Sequence, residues 1–285
     1  MKLKRIKSFL LMILGIGLLV ACGHPETIDV ISREAGSGTR DAFVEIVGLE
    51  DEHGDDLTTL DAVVQNSTGS VMQTVSNDPA AIGYASIGSL NSTVKTVAVD
   101  GFEPTPEHIS EGKYTIARPF NVAWAKDSLT ENAKDFLRFI HSKEGQAVVE
   151  EEGFIKVNIH DKEELPAYQS NEKLTGSIEV VGSTSVTPVM ERLYEAYKEY
   201  QPKVSVNITS NGSSAGMSSA INNVADLAMA SRSLTEEEQK ELDYEAIALD
   251  GIVLIVSPES KISNLTMEQV RGIFSGEITS WDEIK

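Results

Sequence analysis

Positive charge is what this chain lacks most. Its 285 residues carry 24 Lys plus Arg against 44 Asp plus Glu, a formal charge of −20. That balance argues against a nucleic-acid partner, because phosphate backbones are gripped by clustered cations. It also removes the simplest means of holding any anion. The single cysteine, Cys22, excludes internal disulfides and multi-cysteine metal sites. His24, His53, His108, His141 and His160 are scattered without metal-ligand spacing, so no metal and no cofactor is expected. A Gly-x-x-x-x-Gly-Lys-Ser/Thr loop is missing, which removes nucleotide hydrolysis of that class, and no catalytic residue is nominated. What remains is ordinary for a folded protein. With 41% hydrophobic residues the chain is too apolar for disorder, and its length favours two domains over one.

Lys2, Lys4, Arg5 and Lys7 form a basic start, followed by an apolar run over 9–20 and then by Leu19-Val20-Ala21-Cys22. The run is too short for a comfortable membrane span, and the order is that of a secretory signal peptide over 1–21. Its ending resembles a bacterial lipobox, in which the cysteine becomes the lipidated first residue. Cys22 is therefore expected to carry lipid, with 22–27 as the tether. Removing 1–21 takes away four cations and no acid, leaving 20 against 44 and a charge of −24. The expected location is extracytoplasmic, anchored by lipid to a bacterial cell membrane.

Beyond the tether, strands alternate with amphipathic helices. Residues 28–31 read as a strand and 33–39 as a loop; Ala42, Phe43, Ile46 and Val47 then recur at helical spacing. Ser37 is placed to cap that helix. Further strands are expected at 80–85 and 117–125, and short helices at 70–76 and 132–141. Residues 160–175 are polar and aperiodic and read as a linker. The opening pattern then returns twice: strand 178–181, loop 182–185 and helix 188–200, followed by strand 204–208, loop 211–214 and a helix through 221. An apolar strand is expected over 247–256, and Thr266 with Gln269 forms a capping box for a helix ended by Gly276. The acidic runs 150–152 and 236–238 read as solvated helix faces. Such alternation predicts an α/β architecture in two lobes.

Three units share one design, a strand running into a Gly/Ser/Thr loop that opens a helix. The loops are Gly36 to Thr39, Gly182 to Ser185, and Gly212 to Ser214. Each helix start offers unpaired backbone N–H groups and the positive end of a dipole. Glycine admits close backbone approach, and hydroxyls add donors without charge. Three such ends, converging, would hold a small tetrahedral anion inside a protein of strongly negative charge, because the attraction is local and directional. Arg33 would add a bidentate contact to two anion oxygens.

The residues also resemble a known family. Gly182-Ser183-Thr184-Ser185-Val186 with Pro188, Asn211-Gly212-Ser213-Ser214, and Ser231-Arg232-Ser233-Leu234 are similar to segments of the phosphate-binding protein of the bacterial phosphate ABC transporter. So are Asp250-Gly251-Ile252, Asn264-Leu265-Thr266, Ile273-Phe274-Ser275-Gly276, Trp281, Ser32 to Arg40, Ala81-Ile82-Gly83-Tyr84 and Gly145-Gln146. Their order is rotated. In the usual order the Gly-Ser-Thr-Ser segment comes first and the tryptophan segment leads directly into Ser-Arg-Glu; here the chain opens with Ser32-Arg33 and closes just after Trp281.

The resemblance implies a two-lobe clamshell of the periplasmic-binding-protein type II class, circularly permuted, with 160–175 bridging the family's usual ends. It implies one lobe from 28–116 and 257–285, crossings at 117–124 and 251–256, and a continuous lobe over 125–250. It assigns phosphate binding to Ser183, Thr184 and Ser185, to Ser213 or Ser214, and to Ser231, with Arg33, Ser37, Gly38 and Thr39 closing from the other lobe. Some members have an aspartate where Ser231 aligns, and it accepts the proton of hydrogen phosphate; a serine can also accept while donating elsewhere. The implied function is a monomeric, non-enzymatic receptor that delivers phosphate to a membrane permease. The alternatives are a surface lipoprotein for adhesion or signalling, and a binder of another tetrahedral oxyanion such as sulfate.

Overall fold

A computed structural model of the protein describes residues 27–158 and 164–284. The segments expected to be signal peptide (1–21) and tether (22–27, up to residue 26), with Cys22, and Lys285 lie outside the described residues. No helix among those described is long and apolar enough to cross a membrane.

The chain begins with β1 (Asp29–Arg33), α1 (Gly38–Val47), β2 (Val63–Gln65), α2 (Thr68–Ser76), β3 (Ala81–Ser86), β4 (Lys95–Val99) and α3 (Pro106–Ser110). It continues through β5 (Ala117–Ala125), α4 (Glu131–Ile140), α5 (Lys143–Glu151), β6 (Gly176–Gly182), α6 (Thr187–Tyr200), β7 (Val204–Ser210), α7 (Ser213–Ile221) and β8 (Leu227–Ala230). The last elements are α8 (Glu236–Glu241), β9 (Leu242–Val256), β10 (Asn264–Leu265) and α9 (Met267–Ser275). The expected caps form: Ser37 accepts from Arg40 N–H, Thr266 and Gln269 make a capping box, and left-handed Gly276 ends α9. The short, half-exposed β2 and the strand β4 carry too few alternating residues to be legible in the sequence.

Strand order is β2-β1-β3-β9-β5-β8-β6-β7. Parallel pairs β2-β1-β3 occupy one end and β7-β6-β8 the other. The long antiparallel strand β9 belongs to both: Ile252 to Val256 pair with β3, while Leu242 to Gly251 pair with β5. Two lobes follow, each with its own core. One draws on Val30, Phe43, Tyr84, Ile252, Leu254 and Phe274, the other on Phe120, Val122, Phe136, Ile178, Val180, Leu193 and Met229. Alternate residues of the same strands, such as Val253 and Ile255, or Ala228 and Ala230, face the opposite side and are buried there too. Sheets covered on both faces explain the near-continuous apolar run at the end of β9.

The sheets join where Ala117 pairs with Gly251 and Arg118 with Asp250, at the inner ends of the two segments expected to cross; the rest of each segment lies within one sheet. A buried ion pair pins the junction. Asp250 accepts from Ser86 Oγ at 2.7 Å, Ile87 N–H at 3.2 Å and Arg118 Nε at 3.0 Å. Burial pushes the Asp250 carboxyl up to about 6, with Arg118 pulling against it, and the same burial draws Arg118 below its ordinary value. Desolvation outweighs the mutual attraction, as is common for enclosed pairs.

Two expectations need correction. The described part of the 160–175 segment is irregular but firmly docked rather than a loose linker. Pro166 O accepts from Lys143 N–H at 2.8 Å, and Tyr168 OH donates to Asp135 Oδ2 at 2.6 Å. Buried Asp135 also takes donors from Tyr197, Gln201 and Arg138, so a carboxylate hidden from water is what holds the segment down. Glu238, read as solvated, instead forms the capping box of α8 and pairs with Arg232.

The first and last described segments lie side by side. Ile28 N–H donates to Thr279 O at 2.8 Å, Thr27 bridges Ser280, and Trp281 Nε1 donates to Ala80 O.

Candidate functional site

Four helix N-termini meet between the lobes, one more than the sequence suggested. From the first lobe come α1 and α2, capped by Ser37 and Ser67. From the second come α6 and α7, and neither has a side-chain cap. Helix starts without caps leave N–H donors for another partner.

Most of the expected residues are drawn into one hydroxyl-lined cage. Thr39 Oγ1 lies 2.9 Å from Ser185 Oγ across the cleft. Ser183 Oγ donates to Ser231 Oγ at 2.9 Å, and Ser213 Oγ lies 3.4 Å from Ser231 Oγ while accepting Ser231 N–H at 3.1 Å. Arg33, Ser37, Thr39, Ser183, Ser185, Ser213 and Ser231 are each at most 2% exposed. Gly38 faces Ser213 and Ser231 so closely that a Cβ there would lie 2.4 Å from Ser213 Oγ and 3.0 Å from Ser231 Oγ. Gly182, at φ +146°, turns β6 into its loop where a Cβ would meet Met229 O at 2.3 Å. Only glycine fits either place.

The structure brings in one residue that sequence reasoning missed. Thr68, at the start of α2 and 4% exposed, lies 3.0 Å from Ser185 Oγ and 3.4 Å from Thr184 Oγ1, and accepts from Arg33 Nη1 at 3.3 Å. The signal was available: Asn66-Ser67-Thr68-Gly69-Ser70 is a fourth Gly/Ser/Thr loop, hidden because the strand before it has only three residues.

Two site residues differ from expectation. The Nε and Nη2 edge of Arg33 is taken by Glu34, at 2.7 and 2.8 Å, so that edge is already occupied, and it is Nη1 that turns to the cage at Thr68. Ser214 turns its hydroxyl away from the cage: it accepts from Arg232 Nη2 at 3.3 Å, while its N–H donates to Gly36 O of the other lobe. Of the pair Ser213 and Ser214, the cage hydroxyl is that of Ser213.

Tyr84 supports the Arg33 backbone. Its hydroxyl lies 2.9 Å from Ser32 Oγ and accepts Arg33 N–H at 3.2 Å, and burial pushes its pKa above the ordinary phenol value, so it stays neutral. A cavity of about 560 Å³ lined by Trp124, Leu137, Arg138, His141 and Tyr168 lies elsewhere on the second lobe and shares no residue with the cage. Contrary to the expectation that no Gly-x-Ser-x-Gly elbow follows a strand, residues 212–216 have that spacing, running from just after β7 into the first turn of α7. The central Ser214 is held by Arg232, a cation that cannot act as a general base, so the spacing makes a helix start rather than a nucleophile elbow. No cluster of three or more metal-ligating side chains occurs among the described residues.

Comparison with known proteins gives a consistent picture. A family model described as a PBP superfamily domain matches residues 167–284. Phosphate-binding protein PstS 2 of Streptococcus pneumoniae is 46% identical over 283 residues, 95% of each chain. PstS 2 of Streptococcus agalactiae is 43% identical over 283 residues, 95% of this chain and 94% of that one. The crystal structure of a phosphate-binding protein of a phosphate ABC transporter from S. pneumoniae covers 91% of this chain and 100% of its own, at 46% identity and a TM-score of 0.72. Matches at that identity and length, joined to a two-lobe fold with a hydroxyl-lined cage at its junction, place this chain in the PstS family of phosphate-binding proteins.

Proposed function

We propose that this chain is the extracytoplasmic phosphate receptor of an ABC-type importer, and that the cage between its lobes holds one phosphate ion. The observation that carries this reading is the convergence of one buried guanidinium with four helix N-termini from both lobes. Across the cleft, hydroxyls pair with each other at Thr39–Ser185 and Thr68–Ser185. An anion there exchanges those neutral contacts for charge-assisted ones, which are roughly twice as strong. Arg33 meets it through the edge now turned to Thr68, and Glu34 keeps the other edge fixed. Ser183, Thr184, Ser185 and Ser213 donate from the second lobe, while Ser37, Gly38 and Thr39 donate from the first. Ser231 Oγ accepts from Ser183 and keeps a lone pair for the proton of hydrogen phosphate, which sulfate lacks.

The ligand is bound and handed to a membrane permease without chemistry on it. The protein works as a monomer, held at the cell membrane by lipid on Cys22. The rotated segment order is part of the same reading: the family's usual junction lies where Ile28 now pairs with Thr279, and close termini make rotation tolerable. A chain rejoined from Lys285 to Ile28 and opened within 160–175 is expected to fold and bind as this one does; failure across several loop lengths would reject the rotation.

Calorimetric titration with phosphate, sulfate and arsenate tests the function. One-to-one, metal-independent phosphate binding with sulfate much weaker is the expected result. Equal affinity for sulfate, or no binding, overturns it.

A further inference from the structure

Next to the cage residue Ser231, a second arginine spans the cleft. Arg232 follows β8 in the second lobe and is 7% exposed. Its own lobe fixes it: Nη1 and Nη2 donate to the two Glu238 carboxylate oxygens at 2.7 and 2.8 Å, and Nη1 also donates to Ser233 O at 2.9 Å. Glu238 is itself fixed by the capping box of α8. The remaining Nε–H donates at 3.1 Å to Asp41 Oδ2, on the first turn of α1 in the other lobe. Asp41 thus follows the Ser37 to Thr39 donors by two residues on α1, and Arg232 follows Ser231 directly in the chain.

We propose that Asp41 and Arg232 form a latch between the lobes that sets how long the closed cleft keeps its ligand; this rests on reading the cage as the phosphate site. The two partners are asymmetric. When the lobes part, Arg232 keeps Glu238, so its charge is never left bare, whereas Asp41 returns to water. Closure therefore desolvates only one ion of the pair, and the Asp41 carboxyl lies above its ordinary value, raised chiefly by burial while Arg232 pulls against that rise. The two latch side chains touch neither the ligand nor the hydroxyls assigned to hold it, so the latch acts on release. Association, governed by encounter with the open cleft, is left nearly unchanged.

The test is stopped-flow phosphate binding. Asp41→Asn is expected to speed release about 3- to 5-fold, with association within about twofold, the scale of a partly exposed ion pair. Arg232→Lys keeps the charge facing Glu238 but loses the rigid fork that also reaches Asp41. In that background Asp41→Asn is expected to change release by less than about 1.5-fold, because coupling disappears once one partner is gone. Unaltered release in Asp41→Asn, or equal acceleration in both backgrounds, overturns the latch. Should the unaltered chain bind no phosphate, the functional reading fails, and the latch is decided without ligand. Spin labels at exposed Glu45→Cys and Ser218→Cys, in a Cys22→Ser chain, report the distance across the cleft. Asp41→Asn must lengthen that distance distribution; an unchanged distribution overturns the proposal.

Discussion

The two lobes bring different chemistry to the same cage. The first supplies the buried guanidinium of Arg33, which reaches the cage at Thr68, and two helices whose starts are already capped by Ser37 and Ser67. The second supplies no cation to the cage, but two helices with no side-chain cap and a row of buried hydroxyls at Ser183, Ser185, Ser213 and Ser231. One half is preorganised to attract charge and the other to read hydrogen-bond geometry. This division explains how a chain with 24 cations against 44 acids can serve as an anion receptor. On the proposed reading, affinity needs one buried charge and selectivity depends on oriented neutral groups.

The largest test of that contrast is Arg33→Ala. Removing a charge-assisted contact from a closed cleft should weaken phosphate by more than about 2 kcal/mol, or about 30-fold, and weaken sulfate equally. Calorimetry that finds an unequal loss would move selectivity into the first lobe. Next is Gly38→Ala, which tests whether the halves must touch. With a Cβ 2.4 Å from Ser213 Oγ, full closure is blocked and affinity should fall about tenfold, the scale of overpacking. Unchanged binding would show that the ligated cleft is more open than this one.

Ser231→Ala sharpens the second lobe's part. Phosphate affinity should drop about fivefold, since the Ser183 hydroxyl loses its acceptor, while sulfate changes less and the preference narrows. A uniform loss would place the proton acceptor elsewhere. The last test leaves binding aside and concerns the junction that both lobes share. Because the folded Asp250 pKa is raised from 3.8 to about 6, its favourable contribution is complete below 3.8 and is lost as pH rises through about 6. Urea unfolding of Asp250→Asn from pH 4 to 7 should therefore lack a decline in stability that the unaltered protein shows over that window. Parallel curves would mean that Arg118 holds Asp250 ionised throughout.

Much of this was legible before any coordinates. The loops 36–39, 182–185 and 212–214 announced themselves because each follows an apolar strand and combines glycine with hydroxyl residues, a local pattern with a local cause. Thr68 escaped because its strand, β2, lies at the sheet edge with Val63 and Val64 exposed, and so carries no inward-facing alternation. The docking of segment 160–175 escaped for a related reason. Tyr168 is anchored by Asp135, 33 residues away, and no periodicity within the segment encodes that contact.

By itself, the sequence determined the element alternation, the caps, the glycines at tight approaches and the family resemblance. These depend on interactions within a few residues, where side-chain chemistry and backbone geometry are set together. The tertiary structure alone decided that Arg33 spends one edge on Glu34, that Ser214 turns to Arg232 while Ser213 faces the cage, and that Asp41 meets Arg232 across 191 residues of chain. Each of those outcomes is a competition among several eligible partners. Only the packed fold, by placing one donor within 3 Å of one acceptor and sealing both from water, determines which pairing prevails.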